Sequence, residues 1–196
     1  VMPGNLMKEL TKNDRIIGGT TGESALRALD FYKTFVTGNI HLCDSRTAEI
    51  VKLFENTYRD VNIALANEFA LLAEKAGINV YKAIELANNH PRVNILKPGP
   101  GVGGHCIAED PYFLISISQR LAPLLQEARK INAGITHHVL RLYQELPDQN
   151  KIYKVVILVV SYKANVGDER NSPGLQIASL IKELGKNVFL HDPYIK

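Results

Sequence analysis

The sequence predicts an α/β chain with a central all-α domain: the tail of one α/β domain, a long-helix domain, and the start of a second α/β domain. Three observations predict it. Before residue 44, two short apolar runs flank one helical pattern. Residues 46–76 then run without glycine or proline and keep apolar side chains at helical spacing. After residue 150, the uninterrupted run Lys154-Val155-Val156-Ile157-Leu158-Val159-Val160 has the composition of a parallel strand buried on both faces. The boundaries implied are 1–44, 45–150 and 151–196.

Residues 15–20 form a short apolar run ending in a turn, the pattern of a strand. Thr21 opens a helix with Glu23 in its first turn, and Ala25, Leu26, Leu29, Tyr32 and Phe35 recur at helical spacing. Residues 39–43 supply a second strand. Asp44 and Ser45 offer caps for the long helix, and Gly77 closes it. Ile50, Leu53, Phe54, Tyr58, Val61, Leu65, Phe69 and Leu72 keep to one stripe along it. At 1.5 Å per residue such a helix runs about 45 Å, longer than a small domain is wide, and it serves to join two domains or to support a dimer interface.

A short helix follows at 79–89, then a loop at 89–94 and the glycine-rich stretch at 97–106. Residues 107–118 read as a helix that tolerates Pro111 in its first turn. Residues 119–145 read as helical around a break at Pro123, and 146–150 as a linker. His137 and His138 are adjacent and so face different ways, which suits surface or packing histidines and not metal ligands. A polar loop at 161–173, a helix at 174–184 and a strand at 187–190 complete the start of a doubly wound unit. Two parallel strands need neighbours and cover on both faces. The start at Val1, without an initiator methionine, and the stop at Lys196 therefore read as cut ends.

The 196 residues, 45% of them hydrophobic, suffice for a real core. A net charge of +3, with no basic run interleaved with aromatics, gives no case for nucleic acid. It is compatible with an anionic small molecule. Two distant cysteines, Cys43 and Cys106, read as reduced thiols of a cytoplasmic protein and not as a disulfide framework. No segment reaches the roughly 18 apolar residues of a membrane span, and no signal peptide opens the chain.

The chemistry concentrates between Lys97 and Pro111. Five of the six residues from Pro98 to Gly103 are glycine or proline, which excludes helix and paired strand and leaves a loop whose bare backbone can approach a ligand. Cys106 falls where that loop meets the expected helix, whose positive end would favour the thiolate. Asp110, one turn on, would project toward the same place. Two readings stay open for Cys106: a simply buried cysteine, or a reactive one served by the glycine-lined approach.

The spacing Gly99-x-Gly101-x-x-Gly104 also matches the dinucleotide fingerprint. It lacks the preceding strand, and the segment around Glu127, where the acid would end the next strand, is itself helical. It is rejected as a Rossmann fingerprint.

Lys52 and Asn56 stand at i and i+4 on the long helix, with Asn62 and Asn67 as further amides. They are either a solvated lysine beside a polar asparagine or a pair that holds and polarises an oxygen. Lys163 and Arg170 follow the carboxyl end of the strand at 154–160, where open α/β sheets bind ligands. They suit a phosphate, or they are surface charges on a long loop.

Three signatures in this order and spacing resemble the UDP-glucose/GDP-mannose dehydrogenase family: Lys52-x-x-x-Asn56, then Gly103-Gly104-His105-Cys106-x-x-x-Asp110, then Tyr162-Lys163 with Asp168-Glu169-Arg170-Asn171-Ser172-Pro173. The wording from Glu55 to Glu68 and from His90 to Asn94 resembles its branch acting on UDP-N-acetyl-D-mannosamine. The likeness covers nearly the whole chain. It implies an NAD-binding Rossmann domain ending near residue 44, a central helical domain dimerising through its long helix, and the opening of a Rossmann-like domain that holds UDP. The family's NAD fingerprint and its water-activating glutamate would precede Val1.

The resemblance further implies NAD-dependent oxidation of a UDP-sugar C6 alcohol to the acid. Cys106 matches the nucleophile, Lys52 and Asn56 the oxyanion partners, and Asp110 the assistant to base catalysis. Arg92, Gly101, Gly103, Gly104 and Lys163 match substrate contacts, Arg92 from a partner subunit, and Arg170 a cofactor contact. No metal is implied. Two departures stand out: Glu109 occupies the place where some relatives carry lysine, and Val159-Val160-Ser161 lacks the glycine usual in that turn. Two rival readings remain: a dimerising nucleotide-sugar-binding chain without turnover, and a two-electron dehydrogenase of the hydroxyacid type, which shares the lysine–asparagine pair.

Overall fold

The computed structural model describes residues 5–195, so the ends read as cut, Val1 and Lys196, lie outside the described residues. The chain is a mixed α/β structure, rich in helix, with two small sheets, and it divides into two compact units, Val1–Glu55 and Asn56–Lys196.

In the first unit, β1 (Arg15–Gly19) pairs in parallel with β2 (Ile40–Asp44), Ile17 opposite Leu42 and Gly19 opposite Asp44. The crossover is α2 (Gly22–Lys33), started by a capping box in which Thr21 and Ser24 satisfy each other's backbone N–H groups. The strands and α2 fall within a residue or two of their expected places. A first helix, α1 (Leu6–Lys12), was not read from the sequence; it is short, with Leu6, Met7 and Leu10 as its only apolar residues, and it buries none of its residues.

Helix α3 (Ser45–Ala76) runs 32 residues, about 48 Å at 1.5 Å per residue. Asp44 caps its start by accepting from the Thr47 N–H at 3.0 Å. Gly77, at φ +69°, ends it: the N–H of Gly77 bonds to Glu74 and that of Ile78 to Ala73, the paired closure only a left-handed residue allows. In the second unit, the buried side of α3 is polar and small, with Asn56, Thr57, Asp60, Ala64, Asn67 and Ala73. Tyr58, Leu65 and Leu72 of the apolar stripe are exposed by 66%, 41% and 60%. These three members of the stripe face outward, while Val61 and Phe69 are half-buried.

The rest of the second unit follows the expected order. Helix α4 (Val80–Ala87) is capped by Asn79. Helix α5 (Asp110–Ile117) leads through a 3-10 turn, Gln119–Leu121, into α6 (Pro123–Gln144). Strand β3 (Lys154–Leu158) pairs in parallel with β4 (Asn187–His191) around α7 (Pro173–Glu183), which Ser172 caps. β3 ends two residues short of its apolar run because Val159 turns to φ +76°. A β-branched residue there costs on the order of 1–3 kcal/mol, and it stands where the sequence lacks the usual glycine. The turn is held in place by Asp192, whose carboxylate accepts from the N–H groups of Val160 and Ser161 and from the Ser161 hydroxyl, at 2.9, 2.8 and 2.6 Å. Those hydrogen bonds, first the Ser161 hydroxyl's, hold the Asp192 carboxyl below the usual range.

Candidate active site

Cys106 is exposed and lies in a turn, not in a helix. The helix expected from residue 107 begins at Asp110 instead, and Pro111 is the reason. A helix starting at 107 would need an N–H from Pro111 to the Ile107 carbonyl and would force the proline ring against it; starting at Asp110 leaves Pro111 in the first turn, where no such bond is required. The Cys106 carbonyl accepts from Glu109 and Asp110 N–H groups at 3.1 and 2.8 Å, which closes the turn. The thiol therefore precedes the helix by a turn and does not sit in its first turn.

Asn56 and Asp110, 54 residues apart, are brought together: the Asn56 amide donates to the Asp110 carboxylate at 2.5 Å. Lys52 lies one turn earlier on α3, in the first unit, where its exposed ammonium pairs with Glu55 at 3.2 Å.

The glycine-rich loop is anchored at its start by a buried polar network that sequence reading missed. The Gly99 N–H donates to Asn67 Oδ1 at 2.9 Å, and Asn67 Nδ2 donates to Asn132 Oδ1 at 2.9 Å. Asn132 Nδ2 donates to the Asp60 carboxylate and carbonyl at 2.8 and 3.0 Å, and Arg129 donates to the same carboxylate oxygen at 2.5 Å. Asp60, Asn67, Asn132 and Arg129 are 0, 1, 2 and 7% exposed. Burial pushes the Asp60 carboxyl up, while the Arg129 charge and the Asn132 amide pull it down. The available signal was Asn56, Asp60 and Asn67 recurring on one face of a helix whose opposite stripe is apolar.

The cysteine end of the loop rests on residues 162–173. The Gly104 N–H donates to the Arg170 carbonyl at 2.9 Å, and the Asn171 amide donates to the Gly104 carbonyl and to Glu109 at 3.1 and 3.2 Å. A side chain on Gly103 would come within 2.6 Å of the Asn171 carbonyl, and one on Gly104, at φ +84°, within 2.8 Å of the Tyr162 ring. These two glycines are fixed by close approach of the chain's own Tyr162, Asn171 and Pro173. Gly101 borders a polar cavity of about 200 Å³ with Tyr112, Arg129 and Asn132.

Arg170 forks onto Asp168 with bonds of 2.9, 3.1 and 2.5 Å, which hold the Asp168 carboxyl at about 2. The same pairing raises the guanidinium further, and the charges of Tyr162 and Cys106 add to it. Lys163 is elsewhere, lining a cavity of about 370 Å³ with Pro100, Ser161, Tyr162, Asp192 and Tyr194. Asp168, and not Lys163, shares the hydrogen bonds of the Arg170 guanidinium. Arg92 is exposed on a loop that Asn88 closes through both backbone groups of Ile95.

Among the described residues no helix is long and apolar enough to cross a membrane. The triplet Gly99-x-Gly101-x-x-Gly104 follows a loop and not a strand.

Residues 46–134 match the UDP-glucose/GDP-mannose dehydrogenase family, central domain. The chain is 53% identical over 196 residues to the UDP-N-acetyl-D-mannosamine dehydrogenase of Methanocaldococcus jannaschii, covering 100% of this chain and 45% of that protein. It is 43% identical over 197 residues to the NDP-N-acetyl-D-galactosaminuronic acid dehydrogenase of Ralstonia nicotianae, covering 100% of this chain and 47% of that protein. The solved structure of the UDP-D-ManNAc dehydrogenase from Pyrococcus horikoshii superposes with a TM-score of 0.94 at 48% identity, over 100% of this chain and 48% of that one. The chain spans about half the length of the curated relatives it matches. Cys106, Asp110, Lys52, Asn56, Arg92 and the loop glycines fall within the family match, whereas Lys163 and Arg170 lie beyond it.

Proposed function

The chain belongs to the UDP-glucose/GDP-mannose dehydrogenase family, and from that we propose that its protein oxidises the C6 alcohol of a UDP-sugar, UDP-N-acetyl-D-mannosamine foremost, to the uronic acid in the cytoplasm. The observation that carries the reading is Cys106, exposed in its turn, with the Asn56–Asp110 pair joined in the same unit. The protein's residues perform the covalent and proton steps. The Cys106 thiolate adds to the C6 aldehyde, forming a carbon–sulfur bond while the carbonyl oxygen takes the electron pair and a proton. Loss of hydride from that adduct, and of its hydroxyl proton to a base, leaves a thioester, and water adds to the thioester carbon and expels the thiolate. Lys52 and Asn56 stabilise the oxygen as it gains charge, and Asp110, oriented by Asn56, accepts a proton from water.

NAD, when bound, would supply the hydride acceptor for both oxidations. Its dinucleotide domain is read as ending near residue 44 and the UDP domain as beginning near 151, with Lys163 and the loop backbone toward the substrate and Arg170 toward the cofactor. The intact gene product, given UDP-N-acetyl-D-mannosamine and NAD, is expected to yield two NADH per sugar and a carboxylate, read by absorbance and mass spectrometry. One NADH per sugar, with an aldehyde or ketone product, would favour the hydroxyacid-type reading. No NADH at all would leave the binding reading.

We further propose that two copies pair through α3, with Arg92 reaching the partner's substrate. The support is the outward stripe of Tyr58, Leu65 and Leu72, spaced seven residues apart and continuous with an apolar groove of about 430 Å³ at Phe69, Leu72 and Ile84. In sedimentation equilibrium this chain is expected to be a dimer and its Leu65→Glu variant a monomer. Equal masses for the two would overturn the pairing.

A further inference from the structure

The turn that carries Cys106 is held by a residue far away in sequence, and we infer that Asn171 is a positioning residue for that thiol. The inference rests on Cys106 being the nucleophile. Asn171 stands at φ +51°, a left-handed conformation that asparagine tolerates better than most residues. That backbone turn brings two hydrogen-bonding groups to one place. The Arg170 carbonyl accepts from the Gly104 N–H, and the Asn171 amide donates to the Gly104 carbonyl, at 2.9 and 3.1 Å. Both backbone groups of Gly104, two residues before the cysteine, are satisfied from this segment alone.

The same amide donates to Glu109 at 3.2 Å, the residue whose N–H bonds to the Cys106 carbonyl. Asn171 thus touches the turn on both sides of the thiol. The fit is tight as well as bonded, since Gly103 could carry no side chain against the Asn171 carbonyl and the Pro173 ring. Glu109, a departure from the family pattern at the sequence level, acquires a purpose here as an acceptor for the latch.

The test reads the thiol directly in this chain. Iodoacetamide labelling with peptide mass mapping follows Cys106 across pH, with Cys43 as internal reference, and hydrogen exchange follows the Gly104 amide. Asn171→Gly keeps the left-handed backbone and removes only the amide. It is expected to speed Gly104 exchange about tenfold and to shift the rate and pH profile of Cys106 labelling severalfold, with Cys43 unchanged. Asn171→Asp, which turns the donor into an acceptor facing Glu109, is expected to do the same or more. Asn165→Gly is the matched control: it also removes an amide from a left-handed position of this loop (φ +61°), but one bonded to Tyr194. It should leave Cys106 unmoved.

Unchanged Cys106 labelling in both Asn171 variants, or an equal change in the Asn165 control, would overturn the inference. Neither readout involves turnover, so a failure of the dehydrogenase reading is told apart from a failure of this one.

Discussion

Replacing Cys106 with alanine in the intact gene product is expected to abolish acid formation, lowering it at least about a thousandfold, as loss of a covalent nucleophile does. The size follows from what the thiolate does that no neighbour can. An aldehyde is a poor hydride donor until a nucleophile adds to it, and among the groups near the turn only sulfur both adds readily and leaves readily. The alanine variant retains Asn56, Asp110 and Lys52, so conversion of alcohol to aldehyde is not excluded by the lesion. One NADH per sugar with no carboxylate is then the informative residue of activity. The measurement is product mass alongside NADH yield. Full conversion to acid by the variant would remove Cys106 from the mechanism.

Much of the fold was legible because it obeys simple periodicities. The α2, α3, α4 and α7 patterns announce themselves by cap, stripe and terminal glycine, and β3 by its apolar run. What was not legible depends on contacts over long sequence distances. The helix at 110 starts late because of one proline, a local rule applied at the wrong residue. The outward direction of Tyr58, Leu65 and Leu72 could not be read, since a stripe has the same spacing whether it meets its own core or another surface. In the site, residue types pointed to Cys106, Asn56 and Asp110, and the structure joins the last two directly. The supports of the loop were invisible because each is an ordinary residue: an asparagine at 171 or an aspartate at 60 has no signature until its partner, 62 to 72 residues away, is in place.

The second large effect is on stability. Arg129→Met is expected to cost about 3–5 kcal/mol, the range for breaking a buried pair by removing one member. Asp60 is fully buried, and one of its carboxylate oxygens already lacks a partner. Without Arg129 its charge would rest on Asn132 alone. Burial raises this carboxyl, so the folded protein holds its proton to higher pH than the unfolded chain does, and stability falls as pH rises through that interval. Removing the cation raises the carboxyl further and widens the interval. The penalty in Arg129→Met should therefore be larger near pH 7 than near pH 5, where the proton can neutralise the stranded group.

Adding Asp60→Asn to Arg129→Met should recover much of the loss, because an amide there carries no charge and can still bond to Asn132. Urea unfolding at the two pH values measures all three variants. A small, pH-independent loss that Asp60→Asn does not relieve would mean that the pair is not what holds α3 to α6. Should the result be the expected one, Gly99 should lose its order along with it, since its anchor Asn67 is fixed by Asn132, the residue that Asp60 orients.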